Sequence, residues 1–139
     1  MKTIVVGYDD TEAAIRALAR TAEVATAFTS KVVVISVAPA LVGAGAGRGM
    51  GPIDPTDPPD LHREQLKRAA ALLEERGVEA EYQVALGDAA DGILQVAEQD
   101  GADLIVIGTR ETGLISRLLG LSVSDAVQRR AHCDVLIVH

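Results

Sequence analysis

An α/β domain, with a mostly parallel sheet between two layers of helices, is predicted by three features of this sequence. Short apolar runs alternate with segments of helical period, the order that right-handed strand–helix–strand crossovers require. Hydrophobic residues make up 48% of the chain but aromatic residues only 2%, so the interior must be Val, Ile, Leu and Ala. β-Branched residues suit buried strands, and Ala and Leu suit the helices that cover them. The length, 139 residues, is that of one domain able to bury a sizeable core.

The elements follow in order. TIVVGY (3–8) is a short apolar strand. In DDTEAAIRALARTAEVATAF, Ala14, Ile15, Leu18, Ala22 and Ala25 recur at helical spacing. Asp10 or Thr11 is placed to cap that helix, and Glu12 suits its positive N-terminus. KVVVISV (31–37) is a second buried strand. The segment 38–60 is rich in Gly, Pro and Ala and is expected to be an irregular, flexible loop. LHREQLKRAAALLEER (61–76) is an amphipathic helix ended by Gly77, its charges expected to form a solvated face with i,i+4 pairs. VEAEYQVAL alternates as an edge strand does. GDAADGILQVAEQDG is a third helix, capped near Asp88 and stopped by Gly101. ADLIVIG (102–108) is a central strand, SVSDAVQRRA a fourth helical segment and CDVLIVH (133–139) a last strand. Ligands in such sheets sit beyond the C-terminal strand ends, near a topological switch point.

Charge and cysteine usage exclude several classes. A formal net charge of -7 and a pI near 4.8 disfavour nucleic acid and anionic membranes as partners, since each bound phosphate needs a local cation. Cys133 is the only cysteine and has no internal disulfide partner, which points to a cytoplasmic protein. TIVVGY is too short for a secretory h-region, and no apolar run approaches a membrane span.

Three stretches carry a resemblance: VVGYDDTEAA, GDAADGILQVAEQDGADLIVIGTR and LSVSDAVQRRAHCDVLIVH. Together they resemble the universal stress protein family over essentially the whole chain, most weakly in the 38–60 loop. The resemblance implies a five-stranded parallel sheet in the order 3-2-1-4-5, a nucleotide-binding-like fold, and a homodimer in which the last strands of two copies pair. Members of the family divide into ATP binders and non-binders.

The family's ATP pattern is Gly, two residues, Gly, nine residues, Gly, then Ser or Thr. Here Gly108 matches the first glycine, Glu111 replaces the second, Leu121 replaces the third, and Ser122 matches the hydroxyl. A glycine at a helix entrance lets phosphate oxygens reach backbone N–H groups. Leu121 would block that approach, although Gly120 offers a re-registered loop. Glu111 would add a negative charge beside the phosphates; two unit charges about 4 Å apart repel by roughly 1 kcal/mol in water and about 4 kcal/mol at an effective dielectric near 20. Arg110 offsets this by pairing with Glu111 or by reaching an anion itself. The grip is damaged.

By the same resemblance, Asp9 lies near adenine and ribose, and Val37 touches adenine through its backbone. Gly108, Arg110, Gly113, Ser122, Val123 and Ser124 fall where ribose and phosphates would be held. From the residues alone, Asp9 reads equally as a helix-capping acid, and Ser122 and Ser124 read first as N-caps of the last helix.

GAGAGRGMG (43–51) lacks both GxGxxG and GK[ST] and reads as loop, with Arg48 able to reach a ligand or partner. Cys133 reads as a small apolar core residue. His62, His132 and His139 show no metal spacing, and the carboxylates of Asp9 and Asp10 diverge, so no metal is expected.

The sequence-based expectation is a non-enzymatic, homodimeric stress-response protein. It requires no cofactor, binds ATP weakly or not at all, and pairs through its last strand with a copy of itself; any further protein partner is unspecified. The alternatives are an ATP-binding switch with slow or no hydrolysis and a nucleotidyl-transferase-like enzyme. The latter lacks the histidine pair or lysine signature that the chemistry needs.

Overall fold

The computed structural model describes residues 1–38, 59–109 and 123–139. Within them the chain runs β1 (Thr3–Gly7), α1 (Glu12–Phe28), β2 (Lys31–Ala38), α2 (Pro59–Glu74), β3 (Ala80–Leu86), α3 (Ala89–Gln99), β4 (Leu104–Gly108), α4 (Val123–Arg130) and β5 (Asp134–Val138). All pairings are parallel, in the order β3-β2-β1-β4-β5. The predicted elements and their order are present, with ends shifted by one to three residues.

Burial separates centre from edge. β1, β2 and β4 are apolar runs buried on both faces, Ile4 to Val6, Val32 to Ile35 and Leu104 to Ile107 each being at most 6% exposed. β3 and β5 are half-buried along their lengths, as edge strands are. One face carries α1 and α2, with Leu18, Leu66 and Leu73 packed on Ile4, Val34 and Val106. The other carries α3 and α4, with Ile93, Val96 and Val127 packed on Val5, Ile35 and Ile105.

Successive side chains of β5 point to opposite faces of the sheet. Leu136 and Val138 pack on the first face, Val135 on the second. The helical layers cover both faces, so what β5 leaves open is its hydrogen-bonding edge. Cys133 also packs on the second face, and burial raises its thiol pKa.

Helix ends follow local chemistry. Thr11 is the N-cap of α1, its Oγ1 accepting from Ala14 N at 3.1 Å. Asp88 caps α3 by accepting from Asp91 N at 3.0 Å. Gly101, with φ +62, supplies the left-handed turn beyond α3.

Candidate functional site

Five parallel strands deliver all their C-terminal ends to one lip of the sheet. β1 is central, and the chain leaves it toward β2 and β3 before returning to its other side at β4, which makes β1/β4 the switch point. Three sequence-distant candidates, Asp9, Val37 and Gly108, follow or end adjacent strands there.

β2 outruns β1. The β1–β2 register ends at Gly7↔Ile35, while Ser36, Val37 and Ala38 continue against Val84, Ala85 and Leu86 of β3. Tyr8 N still donates to Ile35 O at 2.9 Å, after which the chain turns away. Ser36 to Ala38 therefore stand beyond the β1 pairing at this end of the sheet. The Val37 side chain packs at Gly92 of α3, where an added Cβ would lie 3.0 Å from Val37 Cγ2.

The turn after β1 holds two carboxylates in different settings. Asp9 is exposed, and its Oδ1 accepts from Thr11 N at 3.2 Å and Thr11 Oγ1 at 2.6 Å. Asp9 thus orders the turn ahead of the Thr11 cap and does not cap α1 itself, and an exposed acceptor at the lip is compatible with a ligand as well. Asp10 has φ +62, a left-handed conformation uncommon outside glycine, and this sends its side chain toward α2. There Arg68 Nε donates to Oδ2 at 2.9 Å, and Nη2 contacts the same oxygen. The Arg68 guanidinium holds the Asp10 carboxyl below its ordinary pKa. Burial first, and the neighbouring Asp10 second, push the Tyr8 hydroxyl well above the phenol range.

Gly108 has a packing role that motif matching conceals. A Cβ there would stand 2.3 Å from Ala13 O and 2.4 Å from Ala13 C, inside the first turn of α1. The backbone of α1 fills that space, so a side chain is forbidden whether or not a phosphate binds. Ser124 is buried in α4, whose described residues begin at Val123. Val123 is exposed beside it. Arg110, Gly113 and Ser122, with Glu111, Leu121, Arg48 and the 38–60 loop between Pro39 and Pro58, lie outside the described residues.

The charged residues of α2 form an exposed face, with Lys67 Nζ 3.0 Å from Glu64 Oε1, while His62 turns inward. His62 is 5% exposed, and its Nδ1 lies 2.6 Å from the Oγ of Ser36, itself 1% exposed. Ser36 Oγ donates to Gln65 Oε1 at 3.0 Å. A hydroxyl has one proton. With it given to Gln65, Oγ accepts from His62, which fits the tautomer carrying its proton on Nδ1. Both groups are buried, and the contact joins β2 to α2. The signal for His62 was available: positions 62, 66, 69 and 73 form one helical stripe, and the other three are Leu66, Ala69 and Leu73. The Arg68–Asp10 contact gave no such signal.

Among the described residues no three His, Cys, Asp or Glu side chains gather as a metal site, and no helix is long and apolar enough to cross a membrane.

A profile of the Universal stress protein family matches residues 1–139. Universal stress protein Rv1636 of Mycobacterium tuberculosis is 34% identical over 152 residues, covering 99% of this chain and 96% of its own. Universal stress protein MJ0531 of Methanocaldococcus jannaschii is 44% identical over 77 residues, 55% of this chain and 45% of that protein. Among solved structures, a universal stress protein in complex with cAMP has a TM-score of 0.76 at 28% identity, covering 99% of this chain and 96% of that one. The universal stress protein from Archaeoglobus fulgidus in complex with dAMP has a TM-score of 0.75 at 25% identity, covering 100% and 98%.

Proposed function

This chain belongs to the universal stress protein family, and from that membership we infer a cytoplasmic stress-response protein that binds an adenosine monophosphate-type nucleotide at the lip of its sheet and performs no catalysis. The observation that carries the reading is the placement of Asp9, the overhanging end of β2 at Val37, and Gly108 at the C-terminal ends of three adjacent strands. Asp9 offers a carboxylate acceptor to ribose hydroxyls or adenine, and the end of β2 offers backbone groups to an adenine edge. Two relatives of the same fold were solved with a single-phosphate adenine nucleotide, cAMP and dAMP. Glu111 and Leu121 stand where glycines would cradle a triphosphate, which favours the shorter nucleotide over ATP.

Titration calorimetry with AMP, cAMP and ATP tests this. A monophosphate should bind more tightly than ATP, and Asp9→Ala should abolish most of that affinity. Glu111→Gly with Leu121→Gly should improve ATP binding. Micromolar or tighter ATP binding by the native chain would establish the ATP-switch alternative instead, and no binding of any of the three would remove the nucleotide reading.

The reading includes a homodimer through β5, whose outer edge has no strand partner among the described residues. Unpaired N–H and C=O groups along such an edge invite another strand, and a two-fold axis lets one edge serve both copies. Light scattering over a concentration series checks it; a strictly monomeric mass at tens of micromolar would refute the dimer.

A further inference from the structure

We propose that Arg68 and Asp10 form a positioning pair for the nucleotide site: by anchoring the β1–α1 turn to α2, they hold Asp9 in its ligand-facing arrangement. This rests on the nucleotide reading above and adds residues that neither touch the ligand nor lie on an element of the family's ATP pattern.

The argument begins with Asp10. Its φ of +62 is a conformation that a glycine takes freely and an aspartate takes at a cost. Such strain persists where the surroundings over-determine it. Here the restraint is specific: Arg68 reaches from α2, 58 residues away, and sets both Nε and Nη2 on Oδ2. The Asp10 side chain is 24% exposed and Arg68 54%, so the carboxylate is tucked against the turn while the guanidinium stays open to solvent. The buried Tyr8 hydroxyl also faces the Asp10 carboxyl, so the side chain is held from two sides. A turn arranged for stability alone would place glycine here.

The consequence is directional. Residues 9 and 10 are consecutive, and the left-handed step between them sends one carboxylate outward and the other inward. With Asp10 fixed inward, Asp9 stays outward, where Thr11 N and Oγ1 orient it. Exposed ion pairs contribute little to stability, so the effect belongs in site geometry and not in the melting temperature.

The experiment is a double-mutant cycle on AMP affinity, using Arg68→Ala, Asp10→Asn and the two together, with amide hydrogen exchange of each protein in the absence of ligand. Each single change should weaken AMP binding on the order of tenfold, the scale of ordinary coupling between sites. The double change should be no worse than the poorer single, since each breaks the same contact. The amides of Thr11 and Ala14, which donate to Asp9 and Thr11, should lose protection while the melting midpoint stays nearly constant. Additive losses would overturn the proposal by showing that Arg68 acts on the ligand directly, and unchanged affinity would overturn it outright. If the native chain binds no AMP, the nucleotide reading fails; the exchange arm then decides the anchoring by itself, and unchanged protection at Thr11 and Ala14 would sink that too.

Discussion

At the N-terminal end of the sheet, Asp103 accepts from the backbone N–H groups of Lys2 and Thr3 at 2.8 and 2.9 Å, and its own N–H donates to Thr3 O. At the C-terminal end, Asp9 leans on the hydroxyl and N–H of Thr11, and Asp10 on the guanidinium of Arg68. Both ends use aspartate, with opposite dependence on sequence. The Asp103 clamp engages main chain and would survive almost any residue at positions 2 and 3. The other end depends on particular side chains, one of them brought from a distant helix. An end that only holds strands together can rely on backbone; an end that receives ligands keeps its contacts in side chains, where they can be altered without undoing the sheet.

The comparison can be broken most severely at Gly108. Gly108→Ala puts a methyl group within 2.4 Å of the Ala13 carbonyl, so α1 or β4 must move. We expect a loss of about 3 kcal/mol, the upper range for overpacking, read from urea unfolding midpoints. A loss under about 1 kcal/mol would mean that α1 slides freely over the lip, removing the packing explanation for this glycine. A middle effect is expected at Thr11, where Thr11→Ala removes the cap of α1 and one donor to Asp9. About 1 kcal/mol should go, and Thr11→Ser should restore most of it.

The smallest effect is at Asp103, and it is confined by pH. The backbone N–H of Thr3, then that of Lys2, hold its carboxyl below the ordinary carboxylate pKa. A depressed folded pKa gives stabilisation that is present above the unfolded value, about 3.9, and lost as pH falls through the folded value. Native protein and Asp103→Asn should therefore differ at neutral pH and converge as the pH drops below about 4. A gap that persists under acid would mean that the carboxylate charge is not what the clamp uses.

Much of the architecture was legible because the strands announce themselves. Four aliphatic runs bounded by turn residues leave little choice of period, and the alternation in 78–86 marked β3 as an edge before any pairing was known. Asp88 was legible as a cap for the same local reason, and Thr11 as one of two candidates with Asp10. The resemblance supplied the strand order. The site was read less well. Arg68 sits among the charges of an amphipathic helix, where nothing in the local period separates a solvated side chain from one that reaches Asp10. The packing of Gly108 against α1 was not legible, because a motif records that a side chain is missing and not which neighbour excludes it.

The central place of β1 also sets an order on the folding of the chain. Its pairing with β2 can form early, within a short stretch of nascent polypeptide, but its other edge must wait for β4, and the Asp103 bonds that join them span 100 and 101 residues. Until the ribosome has delivered β4, a half-sheet of β1, β2 and β3 carries an unpaired apolar strand at its margin. Closing so long a loop costs only a little more entropy than closing a shorter one, yet contacts of that separation slow a folding reaction. The interval is when this chain is most exposed to aggregation, and a chaperone that shields the free edge of β1 would act in that window.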